Sequence, residues 1–263
     1  MKSLELFYLV TIVIATLSQT VTAASWSFKN WGQYAKESAS SDPTWKSKWH
    51  IPDQNGWSWP WNGDGFNYAI VNDPSRSSKE QGILQVTYPA YSMNPTVSPQ
   101  GGIGFYAQPI TLPDSPSLLD LSYQVFFPKN FDFVKGGKLP GVYGGHEKCS
   151  AGTKSPTCFS ARFMWREGGK GEIYAYIPPQ LQSKALCDQN RNVCNSSYGY
   201  SLGRGSWTFK TNAWNSVRQV VKLNTVGKQD GHLTVFINGK QVYQQSNLVY
   251  RTKATEKTFG IGK

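Results

Sequence analysis

The sequence predicts an all-β fold, a two-sheet sandwich or jelly roll, and three observations carry that prediction. Past the N-terminus, the 263-residue chain shows no sustained 3.6-residue apolar repeat. Short alternating runs recur instead between clusters of Gly, Pro, Asn and Ser, which is the pattern of strands joined by tight turns. The C-terminal part reads as a three-strand meander whose last turn, Asn238-Gly239, is the two-residue hairpin type.

Taken in order, the chain opens with a secretory signal. Lys2 supplies a basic start, residues 6–17 are mostly apolar, and Val21-Thr22-Ala23 offers small residues for cleavage near Ala23 or Ala24. The apolar run is short for a membrane span, and no later stretch is long enough, so a signal at 1–24 is preferred to an anchor. The remainder, 25–263, suits one all-β domain, expected to be secreted, extracellular and monomeric. Residues 39–66 then hold Trp45, Trp49, Trp57, Trp59 and Trp61. Such rings can stack on sugars, but large aromatics are mostly buried, so an extended segment covering the core is the preferred reading. Gly63-Asp64-Gly65 and Asn94-Pro95 read as turns.

Strands are predicted at 82–88, 104–108 and 118–127, then in a hairpin at 159–166 and 172–177, then at 217–223, 233–237 and 240–244. The hairpin is the most informative of them, because strand side chains alternate faces. One face collects Ala161, Phe163, Trp165, Ile173, Ala175 and Ile177, an ordinary core set. The other collects Ser160, Arg162, Met164, Arg166, Glu172, Tyr174 and Tyr176. A turn centred on Gly169 would set Arg166 opposite Glu172, Met164 opposite Tyr174 and Arg162 opposite Tyr176. Arg166 and Glu172 then read as a cross-strand ion pair, and a guanidinium lies beside two phenols. The C-terminal meander resembles the concanavalin-like jelly rolls of many secreted polysaccharide-active proteins, a likeness of fold rather than of chemistry.

Composition narrows the partner. The formal net charge is +11, and loss of Lys2 and Glu5 with the signal leaves it unchanged. That excess favours acidic partners. Nucleic acid fits the charge only, since no nucleic-acid motif is present, and a membrane is not expected. In a secreted chain, Cys149, Cys158, Cys187 and Cys194 are expected to form two disulfides. The local pairing is Cys149–Cys158 with Cys187–Cys194, although three connectivities are open. Asn195 begins an N-glycosylation sequon beside Cys194. There is no Cys-x-x-Cys, no histidine at ligand spacing and no acidic calcium loop, so no metal or other cofactor is expected.

Ahead of the hairpin lies Gly137-Lys138-Leu139-Pro140-Gly141-Val142-Tyr143-Gly144-Gly145. Glycines allow close approach of backbone to a ligand, and Lys138 adds a positive charge, although a lysine in a turn is usually just solvated. This segment, followed by Ser160-Ala161-Arg162 and Tyr174-Ala175-Tyr176, resembles polysaccharide lyase family 14, whose members cleave polyuronates such as alginate and glucuronan. The resemblance runs from about residue 101 to the meander. It implies a jelly roll with a long cleft on a concave sheet, and an active site of Lys138, Ser160, Arg162, Tyr174 and Tyr176. His146, just past the glycines, is a further substrate-binding candidate, with a structural or exposed histidine as its alternative.

The residue chemistry agrees with that implication. A 4-linked uronan is cut by β-elimination when a proton leaves C5 and the C4–O4 bond breaks, leaving a 4,5-unsaturated end. The adjacent carboxylate opposes the developing charge, and Arg162 and Lys138 can neutralise it. A phenol can take the C5 proton or return one to O4, and neighbouring cations favour its ionised form. Tyr174 and Tyr176 are therefore assigned jointly to base and acid, Arg162 to binding the carboxylate, Lys138 to charge neutralisation or proton transfer, and Ser160 to orienting that carboxylate by a hydrogen bond.

Two other readings compete. A glycoside hydrolase needs two suitably spaced carboxylates, and Glu172 has no acidic companion on its strand. A lectin for acidic polysaccharide would use the same groove without chemistry. Which uronan is cut is left open, because glucuronate, mannuronate and guluronate differ only at C2 and C5, where the cleft walls discriminate. Glycosylated secretion favours glucuronan.

Overall fold

Alternation along the chain is satisfied by two sheets packed face to face. The computed structural model describes residues 24–262 apart from 30, 39, 41, 53–56, 59–66, 76–81, 94–96, 111–116, 147–148, 150–156, 196–197 and 254–258. Its strands are β1 (Trp57–Ser58), β2 (Tyr68–Val71), β3 (Ile83–Val86), β4 (Gly104–Ala107), β5 (Leu118–Phe127), β6 (Gly136–Gly144) and β7 (Phe159–Arg166). They continue with β8 (Gly171–Tyr176), β9 (Val193–Cys194), β10 (Tyr200–Leu202), β11 (Ala213–Lys222), β12 (Gly231–Ile237), β13 (Lys240–Leu248) and β14 (Phe259–Gly262). An eight-stranded sheet runs β1-β4-β14-β6-β7-β8-β10-β9, and a four-stranded sheet runs β13-β12-β11-β5. A separate β2-β3 hairpin completes the set, and the strand pairings are antiparallel, as a jelly roll requires.

The predicted inner face of the hairpin is the core. Ala161, Phe163, Trp165, Ile173, Ala175 and Ile177 are all buried, against Val217, Val221, Leu233 and Val235 of the smaller sheet. Phe163 is fully buried, so Phe163→Ala should cost about 3–5 kcal/mol in denaturant unfolding. A second apolar cluster forms around Trp45, Ile51, Tyr68, Ile103 and Phe105, with Trp49 packed on it. Trp45 and Trp49 are thus core cover, as preferred above. Trp57 opens β1, whereas Trp59, Trp61, the turns at 63–65 and 94–95, and the signal through residue 23 lie outside the described residues.

The register of the β7–β8 hairpin corrects the prediction. Arg162 faces Tyr174, Met164 faces Glu172, and Ser160 faces Tyr176. The cause is the turn: residues 167–169 form a three-residue loop closed by the Arg166 N–H donating to the Lys170 carbonyl. Gly168 and Gly169 supply its left-handed backbone at φ 67° and 76°, so the hairpin pivots on Gly168 rather than Gly169. The pairing slips by two residues, an even number, so every side chain keeps its predicted face.

β6 is the element that alternation did not reveal. Its Gly and Pro content argues against a central strand, yet it pairs with both β14 and β7. Gly137 lies so close to the Trp165 indole that a Cβ there would sit 2.1 Å from the ring. Pro140 falls where the register with β7 slips by one, a β-bulge between Lys138 and Gly141, so no ladder N–H is required of it.

Candidate active site

The bulge in β6 sets up the site. Strict alternation would put Lys138 and Gly141 on opposite faces, but the extra residue brings both to the outer face of the large sheet. Leu139 turns into the core instead, and the Pro140 carbonyl accepts a hydrogen bond from the Tyr123 hydroxyl at 2.9 Å. Three cross-strand rows result. Tyr143, Ser160 and Tyr176 form one; Gly141, Arg162, Tyr174 and Ser201 the next; Lys138, Met164 and Glu172 the third.

Within these rows the predicted cations and phenols meet. Lys138 Nζ and the Arg166 guanidinium carbon each lie 5.6 Å from the Tyr174 ring centre. The Arg162 guanidinium carbon lies 6.0 Å from that of Tyr176. The two phenol rings meet edge to face at 5.4 Å, and the Tyr174 hydroxyl accepts from the Gly199 N–H at 3.1 Å. Tyr176 packs against the Cys149–Cys158 disulfide, and the buried Ser160 hydroxyl donates to the Cys149 carbonyl at 2.9 Å. The second bridge joins Cys187 to Cys194, so the local pairing is the one observed. His146 follows the end of β6, half-buried, and no hydrogen bond or ion pair joins it to these groups among the described residues. Asn195 is exposed, and the rest of its sequon lies outside the described residues.

Arg162 is the electrostatic anomaly of the site. It is only 4% exposed, its Nη2 makes one long hydrogen bond of 3.4 Å to the Tyr106 hydroxyl, and its buried Nε has no partner. Among the described residues no carboxylate pairs with it. Burial pushes its pKa down while Tyr106 and Tyr176 push it up, and a guanidinium stays protonated in either case. Lys138 is also held below the ordinary lysine range, first by burial, then by Arg162 and Arg166, with Glu172 opposing. The one carboxylate in the rows is already committed. Glu172, fully buried, binds Arg166 at 2.7 Å and Arg204 at 2.8 Å, and accepts from Ser201 at 2.5 Å. The Arg166–Glu172 pair read from sequence therefore forms, reached diagonally rather than directly across.

Sequence reasoning did not find Tyr106, Tyr143, Ser201, Arg204 or the Gly199 N–H. Tyr106 stands in a predicted strand, and alternation along 104–108 was the available signal. Arg204 and Ser201 lie in and just after β10, a strand too short to show a period. Among the described residues no group of three or more His, Cys, Asp or Glu side chains could hold a metal.

A match to the family model of polysaccharide lyase 14 covers residues 76–262. The marine alginate lyase of Aplysia kurodai is 35% identical and superposes with a TM-score of 0.67, over 77% of each chain. Alginate lyase vAL-1 from Chlorella virus shares the fold at 23% identity and a TM-score of 0.63, over 82% of this chain and 81% of that one. Exolysin of Paramecium bursaria Chlorella virus 1 is 28% identical across 142 residues, 47% of this chain, and the chain spans 22% of that protein's length. With the family model matching well over half the sequence, and a structurally similar lyase above 30% identity, the chain belongs to polysaccharide lyase family 14.

Proposed function

We propose that this chain is a secreted lyase that cleaves a 1,4-linked polyuronate by β-elimination, with alginate as the first substrate to test. The observation that carries the reading is Arg162, a buried guanidinium with no carboxylate partner among the described residues. Leaving such a charge unpaired is costly, and a uronate carboxylate supplies the missing partner from outside. The Aplysia relative favours alginate over the glucuronan preferred from sequence.

The roles follow from the rows. Arg162 takes the carboxylate. Lys138 adds a second positive charge against the anion that develops as C5 loses its proton. Held below the ordinary lysine range, Lys138 also gives up a proton more readily than a free lysine, which suits proton transfer. Tyr174 and Tyr176 share the removal of the C5 proton and the protonation of O4. The Ser160 hydroxyl, spent on the Cys149 carbonyl, fixes the disulfide against Tyr176 and so positions that ring. His146 is kept as a substrate-binding candidate, half-buried just past the end of β6.

The test is incubation of the secreted protein with alginate, glucuronan and a neutral glucan. Ultraviolet absorbance of unsaturated uronate should grow with a polyuronate and not with the glucan. New reducing ends without that absorbance would make the protein a hydrolase, and binding with neither signal a lectin. A second expectation concerns Arg162→Met. It should lose at least about tenfold in affinity for the polyuronate while staying folded, because methionine removes an unpaired buried charge. Calorimetric titration of each purified variant checks it.

A further inference from the structure

We propose that Glu172 is a positioning residue of this reaction: it clamps Arg166 against the Tyr174 ring and sets the charge balance around Lys138. The inference rests on the elimination reading and assigns a function to a carboxylate that the reading leaves unused.

The geometry is unusual for a mere surface pair. Glu172 is fully buried, on the same face and in the same row as Lys138. One carboxylate oxygen accepts both Nε (2.9 Å) and Nη2 (2.7 Å) of Arg166. The other accepts Ser201 Oγ at 2.5 Å and Arg204 Nε at 2.8 Å, while Arg204 Nε also reaches Ser201 Oγ at 3.0 Å. With two nitrogens fixed, the Arg166 guanidinium is held at 5.6 Å from the Tyr174 ring centre rather than free to swing into solvent. Replacing such a network with apolar residues often costs little stability, so stability alone is a weak explanation for a buried carboxylate between two arginines.

The groups that face Lys138 show what the charge does. Arg162 and Arg166 face it from β7, Tyr174 and Glu172 from β8. The two arginines push its proton off, and Glu172 opposes them. Without Glu172, Lys138 would sit among uncompensated cations. Without Arg166, it would lose one of the charges that repel its proton. The two deletions therefore act on Lys138 with opposite signs, and the pH profile reads both.

Glu172→Gln and Arg166→Gln test this in full-length secreted protein, through the pH dependence of kcat/KM for unsaturated-product formation. Glu172→Gln should move the alkaline limb to lower pH, and activity at a fixed pH on that limb should fall about tenfold for every pH unit the limb moves. Arg166→Gln leaves Glu172 paired with Arg204 and should move the limb to higher pH. If both variants fold and their limbs stay put or move the same way, the proposal is overturned. If Glu172→Gln does not fold, Arg166→Gln decides alone: an upward displacement of the limb supports the role and an unmoved limb removes it. Absence of unsaturated product from the wild-type protein would sink the elimination reading instead, a separate outcome read before either variant is made.

Discussion

Replacing Lys138 with methionine is expected to lower turnover on polyuronate by at least about a hundredfold and to raise the melting temperature. On the proposed roles, the loss follows from the charge that the lysine holds against the developing anion. The gain follows from the same burial. Lys138 has a folded-state pKa below that of a free lysine, so its charged form is penalised by folding. The sign is fixed by linkage: when the folded pKa is the lower one, the penalty is complete below it. It fades as pH rises through it toward the unfolded value of about 10.4. Methionine fills a similar volume without a charge, so below the folded pKa of Lys138 its variant escapes the whole penalty. Each kcal/mol relieved raises the melting temperature of a chain this size by about 2–4 °C. Thermal melts of both proteins across neutral to alkaline pH should show the gap narrowing upward. A variant that melts below wild type at neutral pH, or keeps its activity, contradicts the assignment. The trade of stability for function is what a catalytic group on a partly buried sheet face entails.

Much of this site is legible in the sequence alone, and the reason is periodicity. Arg162, Tyr174 and Tyr176 stand at even spacing on two long strands, so alternation alone places them together, and a two-residue error in register does not separate them. Lys138 is the opposite case. Its strand carries Pro140 and several glycines, signals of a turn, and its side chain reaches the common face only because a bulge breaks the alternation. Local pattern could not place it there, and only the family resemblance named it as a candidate. The lack of a carboxylate partner for Arg162 among the described residues and the double pairing of Glu172 were out of reach for another reason. They depend on Arg204, Ser201 and Tyr106, which arrive from strands remote in sequence and, for β10, only three residues long. Burial and pairing are properties of the sheet order, with β14 inserted between β4 and β6, and no local rule yields that order.

Tyr174→Phe and Tyr176→Phe should each remove about 10²–10⁴-fold of turnover while the protein stays folded. Phenylalanine keeps the ring, so the edge-to-face contact and the packing of position 176 on the disulfide persist. At position 174 the Gly199 N–H loses its acceptor, a cost of about 1 kcal/mol that does not unfold a domain of this size. Binding should survive in both, since Arg162 and Lys138 still meet the carboxylate. The division of labour between the two phenols then becomes measurable. Elimination needs one group to take the C5 proton and another to protonate O4. A variant lacking only the acid still removes the C5 proton reversibly, so in heavy water it should exchange that hydrogen for deuterium without cutting the chain. A variant lacking the base should show neither exchange nor cleavage. Mass spectrometry of recovered oligouronate distinguishes the two. If both variants cut at the wild-type rate, neither phenol is needed for the proton transfers, and Lys138, Tyr106 and Tyr143 are the groups on this face to test next.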